Sequence, residues 1–336
     1  MDEATSWRFC AFALVDLVFF IFMLLDGFDM GIGMILPFVS KKEANKKALL
    51  DIVWPFWDGN ELWAVIGGNL ILAAFPAAFS SLLGGLAPWV AAMLVLIMYR
   101  AVAFESWYKD QKRRRLWEWA FAAGSLFLAF GFGALVGNLL AGLPLGPKGE
   151  WEGTLLTPFR PLPLLLGALM TAAALYHGAV YLRKKTEGEL RERAILFADR
   201  AWYAYAILGV AGAVAMAATL PEAAGRALWW AGNSITAIAL GAARYFDRGK
   251  NDDRSFLASS AALVGMWLAA GSAFWPWLVL PSGGSRGLSI AEASSPTSTL
   301  AFLSVFMIVA IAIVAGYSAF VFRVFKGRGD RDVGGY

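Results

Sequence analysis

The chain has 336 residues, 59% of them hydrophobic and 16% charged, with a mean hydropathy of +0.59. Fifteen Trp and 25 Phe beside so few charges exclude an ordinary soluble domain. The formal charge of +4 is distributed as a topology signal rather than as a nucleic-acid surface. Uncharged runs of about 20 residues recur from end to end and predict a polytopic helical membrane protein. The apolar residues come in blocks rather than in alternation, which argues against a β-barrel.

The start, Met1-Asp2-Glu3, is acidic, and the apolar run behind it is long and carries Asp. It therefore reads as a retained first helix rather than a secretory signal. Nine spans are expected, at 8–38, 61–80, 86–106, 117–141, 162–183, 201–220, 227–246, 256–278 and 299–324. They form one polytopic domain over residues 1–336, with no soluble domain and no repeat of fixed period. At ~1.5 Å per residue the first span exceeds a ~30 Å hydrocarbon core, and Pro37 marks its expected end.

The second span opens on Trp57-Asp58-Gly59-Asn60-Glu61-Leu62-Trp63, two carboxylates and an amide at its mouth. Locally this reads as a helix N-terminus with Asp58 as N-cap and Glu61 at N3. Capped carboxylates can still lie on a water path. Glycines at packing-like spacing, Gly27 with Gly31, Gly67-Gly68 and Gly209 with Gly212, predict close helix approach. Trp229, Trp230, Trp267, Trp275 and Trp277 fall near span ends and read as an aromatic belt.

Lysine and arginine alternate between loops. Twenty-four lie in the segments after spans one, three, five and seven and in the tail, including Lys109 to Arg115. Only Arg8, Lys148, Arg160, Arg226 and Arg286 lie on the other side. The positive-inside rule then puts the N-terminus outside and the C-terminus in the cytoplasm.

Against this frame Asp26 and Asp29 lie about 27 and 31 Å along the first span, near its cytoplasmic end. Asp58 and Glu61 begin the second span and Arg100 and Glu105 end the third, all on the same side. Asp26 and Asp29 are i, i+3 and share a face. Arg100 and Glu105 are five apart and do not, so Arg100 is expected to pair with an acid on a neighbouring helix. Two readings stand: interfacial charges held by loops and partners, or a proton route from the cytoplasm. Asp16 is isolated in the outer half. His177, the one histidine, reads as a packing hydrogen-bond group rather than a ligand, and a haem held between two histidines of this chain is excluded. Cys10, the one cysteine, excludes an intrachain disulfide and a CxxC site.

Four motifs together carry a resemblance. They are Leu25-Asp26-Gly27-Phe28-Asp29-Met30-Gly31-Ile32-Gly33, Trp57 to Trp63, Gly67-Gly68 with Ala73-Ala74-Phe75-Pro76, and Arg100-Ala101-Val102-Ala103-Phe104-Glu105. The chain resembles subunit II of cytochrome bd-type quinol oxidases, including the cyanide-insensitive branch. The motifs cover its first third; length, span number and His177-Gly178-Ala179 agree further on. The resemblance implies two four-helix bundles plus one peripheral helix, in a bacterial or archaeal cytoplasmic membrane. It implies a pseudo-symmetric heterodimer with subunit I, which holds two haem b groups, haem d and the quinol-oxidising loop. Subunit II binds no haem and is not catalytic alone. Its roles are to stabilise subunit I and share a proton path, within a quinol:oxygen oxidoreductase of the translocase class. Some members add an oxygen route, a structural quinone or a small single-helix accessory subunit. By motif position Asp58 and Glu105 would be the proton-path acids, with Asp29 and Arg100 beside them and Asp26 and Glu61 nearby. Trp63 would mark oxygen access.

Two other classes remain open on the residues alone. One is a proton-coupled secondary transporter, which the clustering of acids at one face and the lack of a matched pair of broken helices disfavour. The other is an inert assembly scaffold.

Overall fold

The computed structural model describes residues 2–146, 150–280 and 287–325. Lys148, Arg286, Lys326, Arg328 and Arg331 of the loop-charge pattern lie outside them. In chain order the long helices are α1 (Glu3–Val39), α2 (Glu43–Val53), α3 (Trp57–Ala74), α4 (Pro76–Lys109), α5 (Arg114–Leu140), α6 (Pro161–Lys185) and α7 (Gly188–Thr219). There follow a short α8 (Pro221–Ala224), α9 (Ala227–Arg248), α10 (Asp252–Phe274), a small antiparallel pair β1 (Trp277–Val279) and β2 (Leu288–Ser289), α11 (Ile290–Ala293) and α12 (Thr297–Val324). Seven of the described helices are long and apolar enough to cross a membrane, so an all-α membrane protein is what the chain builds. The other two predicted spans are helices as well, but α3 carries Asp58, Asn60, Glu61 and Asn69, and α9 carries Asn233, Arg244 and Asp247.

Helix α1 is central. It packs against α3, α5, α6 and α12, and every residue from Asp26 to Leu36 is buried. A helix buried on all sides needs small residues where neighbours cross. Gly31 supplies one: a Cβ there would sit 2.1 Å from the Ala174 carbonyl oxygen and 2.8 Å from Gly178 Cα. Gly67 is closed off by the Phe19 ring, whereas a Cβ at Gly27, Gly68 or Gly209 would meet nothing within 4 Å. Gly31, Gly67 and Gly212, which meets Leu169 at 3.2 Å, are therefore packing positions, and the other three are not. Gly31→Ala is expected to cost about 1–3 kcal/mol by overpacking, while Gly68→Ala is neutral. Thermal inactivation midpoints of the two variants check this.

Two corners set helix direction. Phe75 (φ −135°, ψ 62°) precedes Pro76 at the first turn of α4, and Leu220 (φ −131°, ψ 64°) precedes Pro221 at the first turn of α8. Proline pushes the residue before it out of the α region and then starts a helix well. The expected span 61–80 therefore stops at Ala74, and the expected loop 81–85 lies inside α4. Gly84-Gly85 is not a turn; the Trp151 ring packs where a Gly85 side chain would be, with the nearest ring atom 1.9 Å from the Cβ position. Both corners join successive helices. Of the tryptophans expected near span ends, Trp229 is buried, and the partly buried Trp267 ring stacks on Phe132 at 6.0 Å.

The lysine-rich segment after α1, expected as a loop, is the helix α2. Leu49, Leu50, Ile52 and Val53 are its buried face. Its polar face is tied on three sides: Lys46 to Glu118 of α5 at 2.5 Å, Asp51 to the Tyr108 hydroxyl of α4 at 2.8 Å, and Asn45 to Glu189 of α7 at 3.1 Å. Ser40 also reaches Glu189, and Glu43 pairs with Arg114.

Candidate functional site

The C-terminal half of α1 aims Asp26 and Asp29 at the start of α3 and the last turns of α4. Arg100 of α4 is fully buried and reaches two helices at once. Its Nη1 donates to Asp26 Oδ2 at 2.9 Å, and its Nη2 approaches Asp26 Oδ1 at 3.3 Å. The same Nη1 stands 2.9 Å from Glu61 Oε1. Gly124 makes room for the arginine stem, since a Cβ there would lie 2.6 Å from Arg100 Cγ. The guanidinium sits 5.6 Å from the centre of the Phe121 ring, a cation–π distance. Asn60 donates through Nδ2 to Asp29 Oδ2 at 2.7 Å and approaches the Leu25 carbonyl at 3.4 Å.

The result is one cation against three carboxyl groups, Asp26, Asp29 and Glu61, all but shielded from solvent. Removing a partner from a buried ion pair costs about 3–5 kcal/mol, because the remaining charge is stranded. Asp29 is the acid that Arg100 does not touch, and its Oδ1 has no hydrogen-bond partner.

The predicted site residues thus divide. Asp26, Asp29, Glu61 and Arg100 come together. Asp58 and Glu105 do not join them. Asp58 is exposed, and it is not the N-cap, because α3 begins at Trp57 with Phe56 as its cap. The turn at 54–56 closes on Val53 and hands the Phe56 carbonyl to Asn60 N–H, which moves the helix start two residues upstream. Glu61 is then beyond the first turn and free to reach Arg100. Glu105 is 39% exposed and pairs with Lys109 at 2.9 Å one turn on. Trp63 is buried in the core of α3.

Two groupings were not readable from the sequence. Glu118 is buried and takes Lys46 at 2.5 Å and the Trp107 indole at 3.3 Å. Arg183 meets Asp247 at 2.5 Å and Asp252 at 2.9 Å, and Arg191 meets Asp252 at 2.5 Å. Both arginines read as topology charges; their proximity to Asp247 and Asp252 needs the packing of α6, α7, α9 and α10. Unlike the cluster at Arg100, this one is balanced, two cations to two acids. His177 is held by the Ser259 hydroxyl at 2.8 Å and stacked on Phe256 at 4.8 Å, which is a packing environment. Asp16 lies against Gly271 of α10. Among the described residues no group of three His, Cys, Asp or Glu side chains is arranged to hold a metal ion.

Comparison with known proteins places this arrangement. The profile of the family described as cytochrome bd terminal oxidase subunit II matches residues 7–325. The chain is 29% identical over 331 residues to cytochrome bd ubiquinol oxidase subunit 2 of Bacillus subtilis, covering 94% of this chain and 95% of that one. It is 28% identical over 361 residues to cytochrome bd-I ubiquinol oxidase subunit 2 of Escherichia coli, covering 96% and 94%. In fold it is similar to a chain of the bd oxidase from Geobacillus thermodenitrificans, with a TM-score of 0.81 at 16% identity, over 95% of this chain and 98% of that one. Three of the four motifs meet around Arg100, and the match runs nearly end to end: the chain belongs to the cytochrome bd terminal oxidase subunit II family.

Proposed function

We propose that the chain is the haem-free subunit of a terminal quinol oxidase, that it steadies a haem-bearing subunit I, and that it shares a proton path from the cytoplasm. The observation that carries the proton role is the imbalance at Arg100: three buried carboxyl groups around one guanidinium. A site with more acids than cations is a place where protons are taken up and given back. The balanced cluster at Arg183 has no such surplus and acts as a structural clamp.

The loop charges support a cytoplasmic position for α2 and for the helix ends at Arg100 and Arg183. On this reading α1, α3 to α7, α9, α10 and α12 all cross the membrane, with the N-terminus outside. Helices α1, α3, α4 and α5 form one bundle and α6, α7, α9 and α10 the other, with α12 peripheral on α1 and α3. Subunit I covers the apolar face that α3 and α4 leave bare, where Leu62, Leu72, Val95, Met98 and Val102 are each about half exposed or more. Asp58 is exposed and Glu105 partly exposed on these same two helices, at the cytoplasmic end. They serve as the carboxylates through which protons pass between the subunits.

Asp58→Asn in the assembled oxidase is expected to slow single-turnover proton uptake about tenfold or more, with haem content and subunit I retained. Glu105→Gln acts in the same direction, and the double variant is less than additive if both lie on one path. Wild-type uptake in both single variants would leave the scaffold reading standing.

A further inference from the structure

Asp29 is completely buried, with Oδ2 on Asn60 and Oδ1 on nothing. An amide nitrogen donates and cannot relay a proton, so any transfer to or from Asp29 must use Oδ1 or displace Asn60. Across the α1–α6 contact stands Tyr181, 2% exposed, whose hydroxyl also lacks a hydrogen-bond partner. Its ring stacks on Phe28, the residue before Asp29, at 4.4 Å between ring centres. Long helical side chains lean back toward the N-terminus. From its place three residues past Gly178, Tyr181 therefore carries its hydroxyl toward the Gly31–Gly178 crossing, two residues from Asp29. The phenol lies within electrostatic reach of the Asp29 carboxyl.

Two buried polar atoms without partners, on residues packed at one helix contact, leave room for an ordered water between them. We propose that Asp29 Oδ1 and the Tyr181 hydroxyl hold one internal water, making Tyr181 a positioning residue of the acid cluster. The water and the phenol each donate and accept, so together they give Asp29 the transferable contact that Asn60 cannot. The link also leads somewhere. Lys185, one turn further along α6, has its ammonium 5.8 Å from the Tyr181 ring centre and donates to the Phe325 carbonyl at the end of α12 at 2.8 Å. These contacts run from Tyr181 toward the ends of α6 and α12.

The consequence for proton transfer rests on the function proposed above; the water itself does not. The first test is a density map of the assembled oxidase at a resolution that reveals other buried waters. The expected result is one water within about 3.2 Å of both atoms. A map without it, or with the Tyr181 hydroxyl bonded elsewhere, overturns the proposal. The second test is Tyr181→Phe, which keeps the ring and its stacking. Single-turnover proton uptake is expected to slow about fivefold, the kinetic equivalent of one hydrogen bond, with haem content and thermal midpoint unchanged. Uptake at the wild-type rate overturns the positioning role. If Asp29→Asn also leaves uptake unchanged, the proton-path reading fails while a water seen in the map stands.

Discussion

Arg100→Met will cost the protein about 3–5 kcal/mol and sharply lower the yield of assembled complex. The methionine fits the volume of the arginine stem in the niche left by Gly124, so packing is not what fails. What fails is charge: Asp26, Asp29 and Glu61 remain buried with no cation among them. The control is to neutralise the acids that arginine held. Arg100→Met combined with Asp26→Asn and Glu61→Gln should recover much of the loss, because the groups are coupled and their effects are far from additive. Arg100→Lys should fall between, since a point charge cannot fork onto α1 and α3 together. Yield and thermal midpoint of the purified complex are the readouts. A single Arg100→Met variant as stable as wild type would mean that the cluster is not an electrostatic unit.

Asp29→Asn has the second large effect, and it falls on rate rather than on stability. The replacement is nearly isosteric, and Asn60 can still donate to the new amide oxygen in place of Asp29 Oδ2. The fold should therefore hold. The residue that Arg100 leaves free to exchange a proton is gone, and single-turnover uptake should fall about a hundredfold. Steady-state quinol oxidase activity should follow it, with the haem spectrum intact. Asn60→Ala separates positioning from chemistry: it strips Asp29 of its fixed contact but leaves the acid, so its effect on uptake should be the smaller of the two.

Much of this is legible in the sequence, and what is not has physical causes. Long uncharged runs locate the helices because the backbone must satisfy itself in lipid. The i, i+3 spacing of Asp26 and Asp29 gives their common face, and the five-residue gap from Arg100 to Glu105 separates a buried residue from a surface one. Register fails where a local signal has two meanings. The expected loop 81–85 is helix, with Gly85 a cradle for the Trp151 ring, and the true corner at Phe75-Pro76 sits inside an apolar run. Asp58 looks like a cap, yet the preceding turn has already started the helix. Partners far apart in the chain leave no local trace at all. Lys46 and Glu118 are 72 residues apart, and nothing near either names the other.

That distance has a consequence for how the protein is made. Helix α2 leaves the ribosome among the first segments, but none of its latches exists yet. Glu118 follows Lys46 by 72 residues, and Glu189 follows Ser40 by 149. At roughly 5–20 residues per second, α2 waits about 7–30 seconds for the last of them. Until the start of α7 emerges, the growing chain presents Asn45 to water with its counterpart Glu189 unborn. The platform over α1 is thus closed by a residue translated past the middle of the chain. Nascent chains arrested before Glu189 should leave α2 open to added protease, and chains arrested well beyond it should not.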